Sequence, residues 1–279
     1  MIRIQSLTFQ YEGGTAPALQ DISLHVPKGS FLGIIGPAGA GKTTLSRAIA
    51  GIIPHHYRGD FYGSVCVDGM DTVEHKMTDI SRVVGTVFQD VESQIISSVV
   101  EDEILYGLEN FGIPHEEIEA RISGALREVG IESLRHRAIA SLSGGQRQKV
   151  AIASVIALRP QILMLDEPTG ELDPGSSRQV FSLLRKLNTE YGMTVIVIEQ
   201  KIMLLSEFAG DLMVLDHGKV FCQGPVREVL ARADELLELG VNCPRVASLA
   251  QSLQRAGLGE MPVCVNVDEA EAMIRGLLA

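Results

Sequence analysis

The stretch Phe31 to Thr44, FLGIIGPAGAGKTT, decides how the chain is read. Phe31 to Ile35 is a continuous apolar run, the pattern of a strand covered on both faces rather than one with a wet side. It leads directly into Gly36, Pro37, Ala38, Gly39, Ala40, Gly41, Lys42, Thr43 and Thr44, after which Leu45 and Ile49 lie one helical turn apart. Strand, glycine loop and helix therefore follow one another. Gly36, Gly41, Lys42 and Thr43 satisfy the GxxxxGK[ST] spacing in the setting that gives it meaning. The glycines let successive backbone N–H groups turn inward around phosphate oxygens, and the helix N-terminus adds its partial positive charge. Lys42 is expected to reach the terminal phosphates, and the Thr43 hydroxyl to ligate magnesium.

Composition bounds what else the chain can be. Its 279 residues are ample for a buried core, and 46% hydrophobic against 21% charged residues rules out extended disorder. Lys plus Arg is 24 against Asp plus Glu 35, a formal charge of −11, so a general attraction to nucleic acid or anionic lipid is not supported. A polyanion has to be held by local geometry. No apolar run approaches the roughly 20 residues of a membrane-spanning helix; the greasiest stretch, Val150 to Leu165, is cut by Arg159 and Pro160. The N-terminus alternates like a strand and lacks the features of a signal peptide. Cys66, Cys222, Cys243 and Cys264 are scattered without a CxxC pair, which fits a reducing cytosol better than a disulfide framework or a zinc site.

Around the glycine loop the pattern predicts a two-part α/β molecule. Ile2 and Ile4 share one face, Phe9 and Tyr11 share one after a phase slip that suggests a bulge, and Ile22, Leu24 and Val26 alternate again, so half-buried antiparallel strands come first. Gly59 to Asp71 reads as a hairpin and Arg82 to Phe88 as a buried strand. From Gln89 to about Ser141 the pattern turns helical and polar, with Glu116 to Val129 an amphipathic helix after Pro114, and reads as an insertion into the sheet. Strands return at Ile162 to Leu165 and Thr194 to Ile198, joined in βαβ style by a helix around Ser176 to Leu187. Beyond about Phe221 the chain is expected to be helical and acidic.

Two further constellations carry chemistry. ILMLDEPT ends a second buried strand on Asp166 and Glu167, where carboxylates are costly unless they face a metal or a site. Asp166 fits the magnesium side, and Glu167 is the candidate to polarise an attacking water. LSGGQ, Leu142 to Gln146, opens another helix, so that Ser143, Gly144, Gly145 and Gln146 form a second backbone-rich anion site.

With these residues the chain resembles the ATP-binding cassette (ABC) family of ATPases: GPAGAGKTT, the VFQ around Gln89, LSGGQRQ, ILMLDEPT and the GELD around Asp173 occur in the family's order over most of residues 1–225. The resemblance implies a P-loop NTPase (RecA-like) α/β core with an N-terminal antiparallel β subdomain, a helical insertion at about 89–155 and a C-terminal helical extension at 226–279. It also implies a head-to-tail dimer, with ATP lying between the phosphate loop of one subunit and the LSGGQ of the other. Tyr11 matches the aromatic that stacks on adenine, with plain core packing as the alternative. Gln89 matches the glutamine that senses metal and water. One departure stands out: where the family usually has a histidine contacting the γ-phosphate after the last core strand, VIVIEQK has Gln200. Glutamine can hydrogen-bond a phosphate but carries no imidazolium charge, which suggests slower turnover or a pairing with an unlike ATPase.

Three stretches look like the ATPase subunits of energy-coupling-factor (ECF) importers, related to the cobalt-transport type: GIIPHHYRGDFYGSVCVDG, VFQDVESQIISSVVEDEILYG, and the tail GPVREVLARADELLELGVNCPRVASLAQSLQRAGL. In the second, Asp90, Val91 and Glu92 replace the usual Asn, Pro and Asp, while Gln94 is retained. This likeness implies two ATPase subunits, held together in part by their tails, on a transmembrane coupling protein at the cytoplasmic face of the membrane. A separate membrane protein would choose a vitamin or metal ion. The alternatives are the ATPase of an ordinary ABC importer or exporter, and a soluble ABC ATPase acting on DNA or ribosomes, which the net acidity disfavours.

Overall fold

Residues Ile2–Tyr11 form β1 and Leu19–Val26 form β2, paired antiparallel. Ile2, Ile4, Leu7 and Phe9 are all buried although Ile4 and Leu7 break the alternation. The bulge expected from the phase slip reconciles them: Ser6 takes a left-handed φ of 45° and the register shifts between Ile4 and Leu7, returning both apolar sets to one face. After β3 (Phe31–Ile35), α1 (Lys42–Ile49) and the short α2 (Ile52–His55), the chain adds β4 (Gly59–Val67) to the other side of β1 and then β5 (Met70–Asp71). The result is a four-stranded antiparallel sheet of order β2-β1-β4-β5. This computed structural model describes residues 1–200 and 202–278; Lys201 and Ala279 lie outside the described residues.

The second sheet holds the glycine loop. After α3 (Met77–Ile80) come β6 (Val84–Val87) and four helices, α4 (Val91–Gln94), α5 (Val100–Asn110), α6 (His115–Val129) and α7 (Gly144–Ile156). Then follow β7 (Ile162–Asp166), α8 (Pro174–Tyr191), β8 (Thr194–Ile198), α9 (Ile202–Phe208), β9 (Asp211–Asp216) and β10 (Lys219–Pro225). The strand order is β10-β9-β3-β8-β7-β6, parallel except for β10. Every residue of β3, β7 and β8 is buried, as strands covered on both faces require.

Alternation then divides the core. Phe31, Ile35, Leu163, Leu165, Val195 and Val197 face one apolar cluster, which includes Val150 and Ala151 of α7 and Val180 and Leu184 of α8. Leu32, Ile34, Ile162, Met164, Ile196 and Ile198 face the other, with Leu45, Ala48 and Ile49 of α1 and the inner face of the antiparallel sheet. The six-stranded sheet thus stands between the glycine-loop helix and the LSGGQ helix.

Three expectations need correction. The chain beyond Phe221 is still strand, since β10 runs to Pro225 and helix begins only with α10 (Val226–Leu230). The hairpin partner β9 was also not foreseen, so β8 is not the last strand of the sheet. The turn at His217 and Gly218, both at positive φ, folds β10 back on β9, and that pairing overrides the weak strand pattern of Cys222-Gln223-Gly224-Pro225. The helix expected around Ser176 to Leu187 is longer, because Asp173 caps its start by accepting from the Gly175 and Ser176 amides and left-handed Gly192 ends it.

The chain closes with α11 (Ala233–Glu238), α12 (Arg245–Arg255) and α13 (Val267–Leu278). Val226, Val229, Leu230, Leu236 and Ala247 join the same core as α7 and α8, so this tail packs on the sheet domain. Among the described residues no helix is long and apolar enough to cross a membrane.

Candidate nucleotide and catalytic site

β3 delivers the glycine loop at the carboxyl end of the parallel sheet, where ligands of such sheets bind. Gly36 has φ 153° and a side chain there would stand 2.1 Å from the Leu215 carbonyl oxygen; Gly41 has φ 99° and would meet the Ala18 carbonyl at 2.6 Å. Only glycine lets the loop curl as it does. Lys42 is buried, and its ammonium donates to the carbonyls of Gly36 at 2.8 Å and Pro37 at 2.9 Å. Burial pushes its pKa down, against the pull of the Glu167 and Asp166 charges.

Asp166, at the end of β7, is 4% exposed. Burial pushes its carboxyl above the ordinary range, and a hydrogen bond with Thr43 together with the Lys42 charge opposes the rise. The two hard oxygen donors expected to face magnesium, the Thr43 hydroxyl and the Asp166 carboxylate, are therefore neighbours.

Glu167 follows in a left-handed conformation, φ 49°, with its amide donating to Ile198 O at 2.8 Å across to β8. This sharp exit turns the carboxylate out of the sheet. Gln89 Nε2 donates to Glu167 Oε2 at 3.0 Å and Gln200 Nε2 donates to Oε1 at 2.7 Å. Three residues 78 and 33 positions apart are thus assembled on one carboxylate. Reasoning from sequence missed the support behind them. Glu199, 1% exposed, accepts from the Thr169 amide at 3.0 Å and hydroxyl at 2.6 Å and from the Gln200 amide at 3.2 Å, tying the end of β8 to the turn after Glu167. The signal was available: a carboxylate closing an otherwise apolar strand.

Tyr11, half-buried at the end of β1, has its hydroxyl 3.2 Å from Thr44 Oγ1 and accepts from Arg47 Nη1 at 3.3 Å. Its ring meets Phe9 and Tyr57 edge-on, and the Arg47 guanidinium lies over Tyr57 at 4.5 Å. The aromatic expected near the base therefore lies against the glycine-loop helix. Arg47 and Tyr57 were not foreseen as its companions.

Ser143 caps α7 in a reciprocal box: Gln146 N donates to Ser143 Oγ at 3.3 Å and Ser143 N donates to Gln146 Oε1 at 3.0 Å. Gly144 and Gly145 open the helix behind it. Ser143, Gly145 and Gln146 line a cleft with Lys149, Ser176 and Gln179, in which residues 36–44 have no part. The LSGGQ segment and the phosphate loop of one chain do not meet.

Fold and site together define a P-loop nucleoside triphosphatase. The profile described as ABC transporter matches residues 19–170, and the chain belongs to that family. It is 40% identical over 274 residues to the energy-coupling factor transporter ATP-binding protein EcfA1 of Caldanaerobacter subterraneus subsp. tengcongensis, covering 96% of each chain. Among solved structures it is similar to cbiO1 of Clostridium perfringens, part of the ABC transporter complex cbiONQ, with a TM-score of 0.77 and 30% identity over 90% of this chain and 98% of that one. It is also similar to the dimeric post-hydrolysis state of the cassette MJ0796 bound to ADP and Pi, with a TM-score of 0.70 and 28% identity over 81% of this chain and 99% of the other. The chain is an ATP-binding, ATP-hydrolysing transporter subunit of a family whose ATPases dimerise.

Proposed function

We propose that this chain powers an importer of the energy-coupling-factor type that takes up a vitamin or a transition-metal ion, and that it works from the cytoplasmic face of the membrane as one of a pair of ATPases. The observation that carries the paired reading is the separation of its two anion sites by the six-stranded sheet: α1 belongs to one core and α7 to the other. One chain has half of each site, and a second ATPase, alike or unlike, supplies the missing LSGGQ. The importer type is supported by the likeness to EcfA1 along nearly the whole chain, tail included, and to cbiO1.

In this reading residues 36–44 wrap the phosphates of ATP, Lys42 bonds the terminal ones, and Tyr11 faces the adenine. Ser143, Gly144, Gly145 and Gln146 close on the γ-phosphate of the partner's nucleotide. Glu167 accepts a proton from the attacking water, Gln89 orients that water, and Gln200 bonds the γ-phosphate. Thr43, Asp166 and Gln89 are hard oxygen donors of the kind magnesium prefers; when bound, the ion would neutralise charge developing between the phosphates. Residues 226–279 help hold the pair together. The remaining partners are a transmembrane coupling protein and a small membrane protein that selects the substrate, while the charge of −11 gives no support for nucleic acid.

Affinity capture of the tagged full-length chain from detergent-solubilised membranes tests the proposal. An ECF-type coupling protein, a small substrate-binding membrane protein and a second ATPase or second copy are expected to come down with it. Recovery of an ordinary ABC permease instead would overturn the importer type. A specific activity independent of concentration down to demonstrably monomeric enzyme would overturn the pairing.

A further inference from the structure

We infer that Gln94 is a positioning residue for ATP hydrolysis: its side chain closes residues 86–94 into a fixed loop that presents Gln89 to Glu167. The inference rests on the catalytic reading above.

Gln89 stands beyond the end of β6 in the exposed run Phe88, Gln89 and Asp90, between the buried Val87 and Val91. Such a segment moves unless its backbone is tied. The Gln94 carboxamide ties it twice, accepting from the Phe88 amide at 2.9 Å and donating to the Thr86 carbonyl at 3.1 Å. Both contacts lie on the strand side of Gln89, so the chain leaves β6, passes Gln89 at its tip and is stapled back onto its own departure point. The turn between is set by Asp90, whose carboxylate accepts from the Ser93 amide at 3.1 Å and whose carbonyl accepts from the Ser93 hydroxyl at 3.0 Å. With both ends held, Gln89 Nε2 stands 3.0 Å from Glu167 Oε2.

Two further ties among the described residues are Val91, buried in the core shared with the LSGGQ helix, and the ion pair between Glu92 and Arg147 of that helix at 2.9 Å. The Glu92 side chain is 71% exposed, so that pair is screened and holds the loop weakly. Gln94 is half-buried and bonds backbone groups directly, so its loss leaves the part-buried Thr86 carbonyl and the Phe88 amide without that partner. The carboxamide is specific to the task, because the staple needs an acceptor and a donor on one planar group.

The test is a kinetic cycle on the full-length chain with Gln94→Ala, Gln89→Ala and the double variant, scored by kcat and KM for ATP. Loss of the staple is expected to lower kcat by about tenfold with KM within about twofold, because misplacing a catalytic group acts on the transition state. Because Gln94 acts through Gln89, the double variant is expected to be no slower than Gln89→Ala alone. Gln94→Glu keeps the acceptor for Phe88 but sets an anion against the Thr86 carbonyl. It is expected to lose kcat similarly while folding, which guards against an unstable alanine variant. In the wild type the Phe88 amide is expected to exchange with deuterium at least about tenfold slower than a free amide.

A wild-type kcat in Gln94→Ala, an equal slowing of the Gln89→Ala background, or free exchange at Phe88 would each overturn the positioning role while leaving the ATPase reading intact. A wild-type chain without ATP hydrolysis, or with hydrolysis insensitive to Glu167→Gln, would overturn both.

Discussion

The Gln200 carboxamide donates to Glu167 at 2.7 Å, taking one oxygen of the carboxylate whose other oxygen is taken by Gln89. The residue that stands where ABC ATPases usually have histidine is thus in direct contact with the candidate base. It matches the reach of an imidazole but brings no titrating charge. Gln200→His is expected to raise kcat by about threefold to tenfold through charge on the γ-phosphate side. It should also add a limb to the pH–rate profile near the ordinary imidazole value of about 6.5. The gain belongs to the protonated ring, so it is largest below that pH and fades above it. Side-by-side ATPase assays decide, and no gain at any pH would remove the argument that Gln200 marks one member of an unequal pair.

Glu167→Gln keeps the size of the side chain and removes its capacity to take a proton. Phosphate release is expected to fall by about 10²–10⁴-fold, while equilibrium binding of ATP stays within a few-fold of wild type. Filter binding beside a phosphate-release assay separates the two, and equal losses in both would move Glu167 from catalysis to binding.

Lys42 bonds the Gly36 and Pro37 carbonyls, and the same ammonium is the candidate phosphate ligand. A hydrogen bond to a charged group contributes about 1.5–3 kcal/mol, so Lys42→Ala is expected to weaken ATP binding by about 10–150-fold. The Gly36 and Pro37 carbonyls lose their donor, the first of them at a buried contact, so some stability is expected to go with the affinity, and a melting curve beside the titration shows that the fold survives. Calorimetric titration checks the affinity, and full retention of binding and turnover would remove the phosphate role.

Ser143→Ala breaks the reciprocal cap of α7, a change that ordinarily costs about 1 kcal/mol. If Ser143 also faces a nucleotide on the partner, hydrolysis should fall well beyond what the stability change explains, and mixing with Lys42→Ala subunits should restore activity in sites built from two intact halves. Absence of any recovery on mixing would count against shared sites.

How much of this was legible in the sequence depends on whether the signal was local. The glycine loop, Asp166, Glu167 and the LSGGQ cap announce themselves because each motif is a short run whose backbone geometry is its function, and the bulge at Ser6 was visible as a slipped alternation. β10 was hidden because its residues are strand only by pairing with β9. The contacts of Glu199, Arg47 and Gln94 were hidden for a related reason: Glu199 stands out as a carboxylate closing an apolar strand, but partners are chosen by the fold, and the spacing of residues along the chain does not encode its contact with Thr169. The side-chain neighbours of Tyr11 belong to the same class, since β1 and α1 meet only through the two-sheet packing.

The tail offers a prediction in pH. Arg227 on α10 donates to both oxygens of Glu269 on α13, at 2.8 and 3.0 Å, and the Val265 amide adds a bond at 3.1 Å. The Arg227 hydrogen bond is the main reason the Glu269 carboxyl lies below its ordinary value of 4.5, with burial opposing. A depressed carboxylate contributes stability that is present above the ordinary value and is lost as pH falls through the depressed one. The tie therefore holds across neutral pH and fails only in acid below about 4.5. The Glu269 side chain is about a third exposed, so the pair contributes no more than about 1 kcal/mol, and its loss should loosen α13 without moving the global melting temperature. Hydrogen exchange of α13 is expected to quicken on acidification in the wild type. In Glu269→Gln the helix should already be loosened at pH 7 and respond little to acid; the same acid response in both proteins would show that other groups govern the tail.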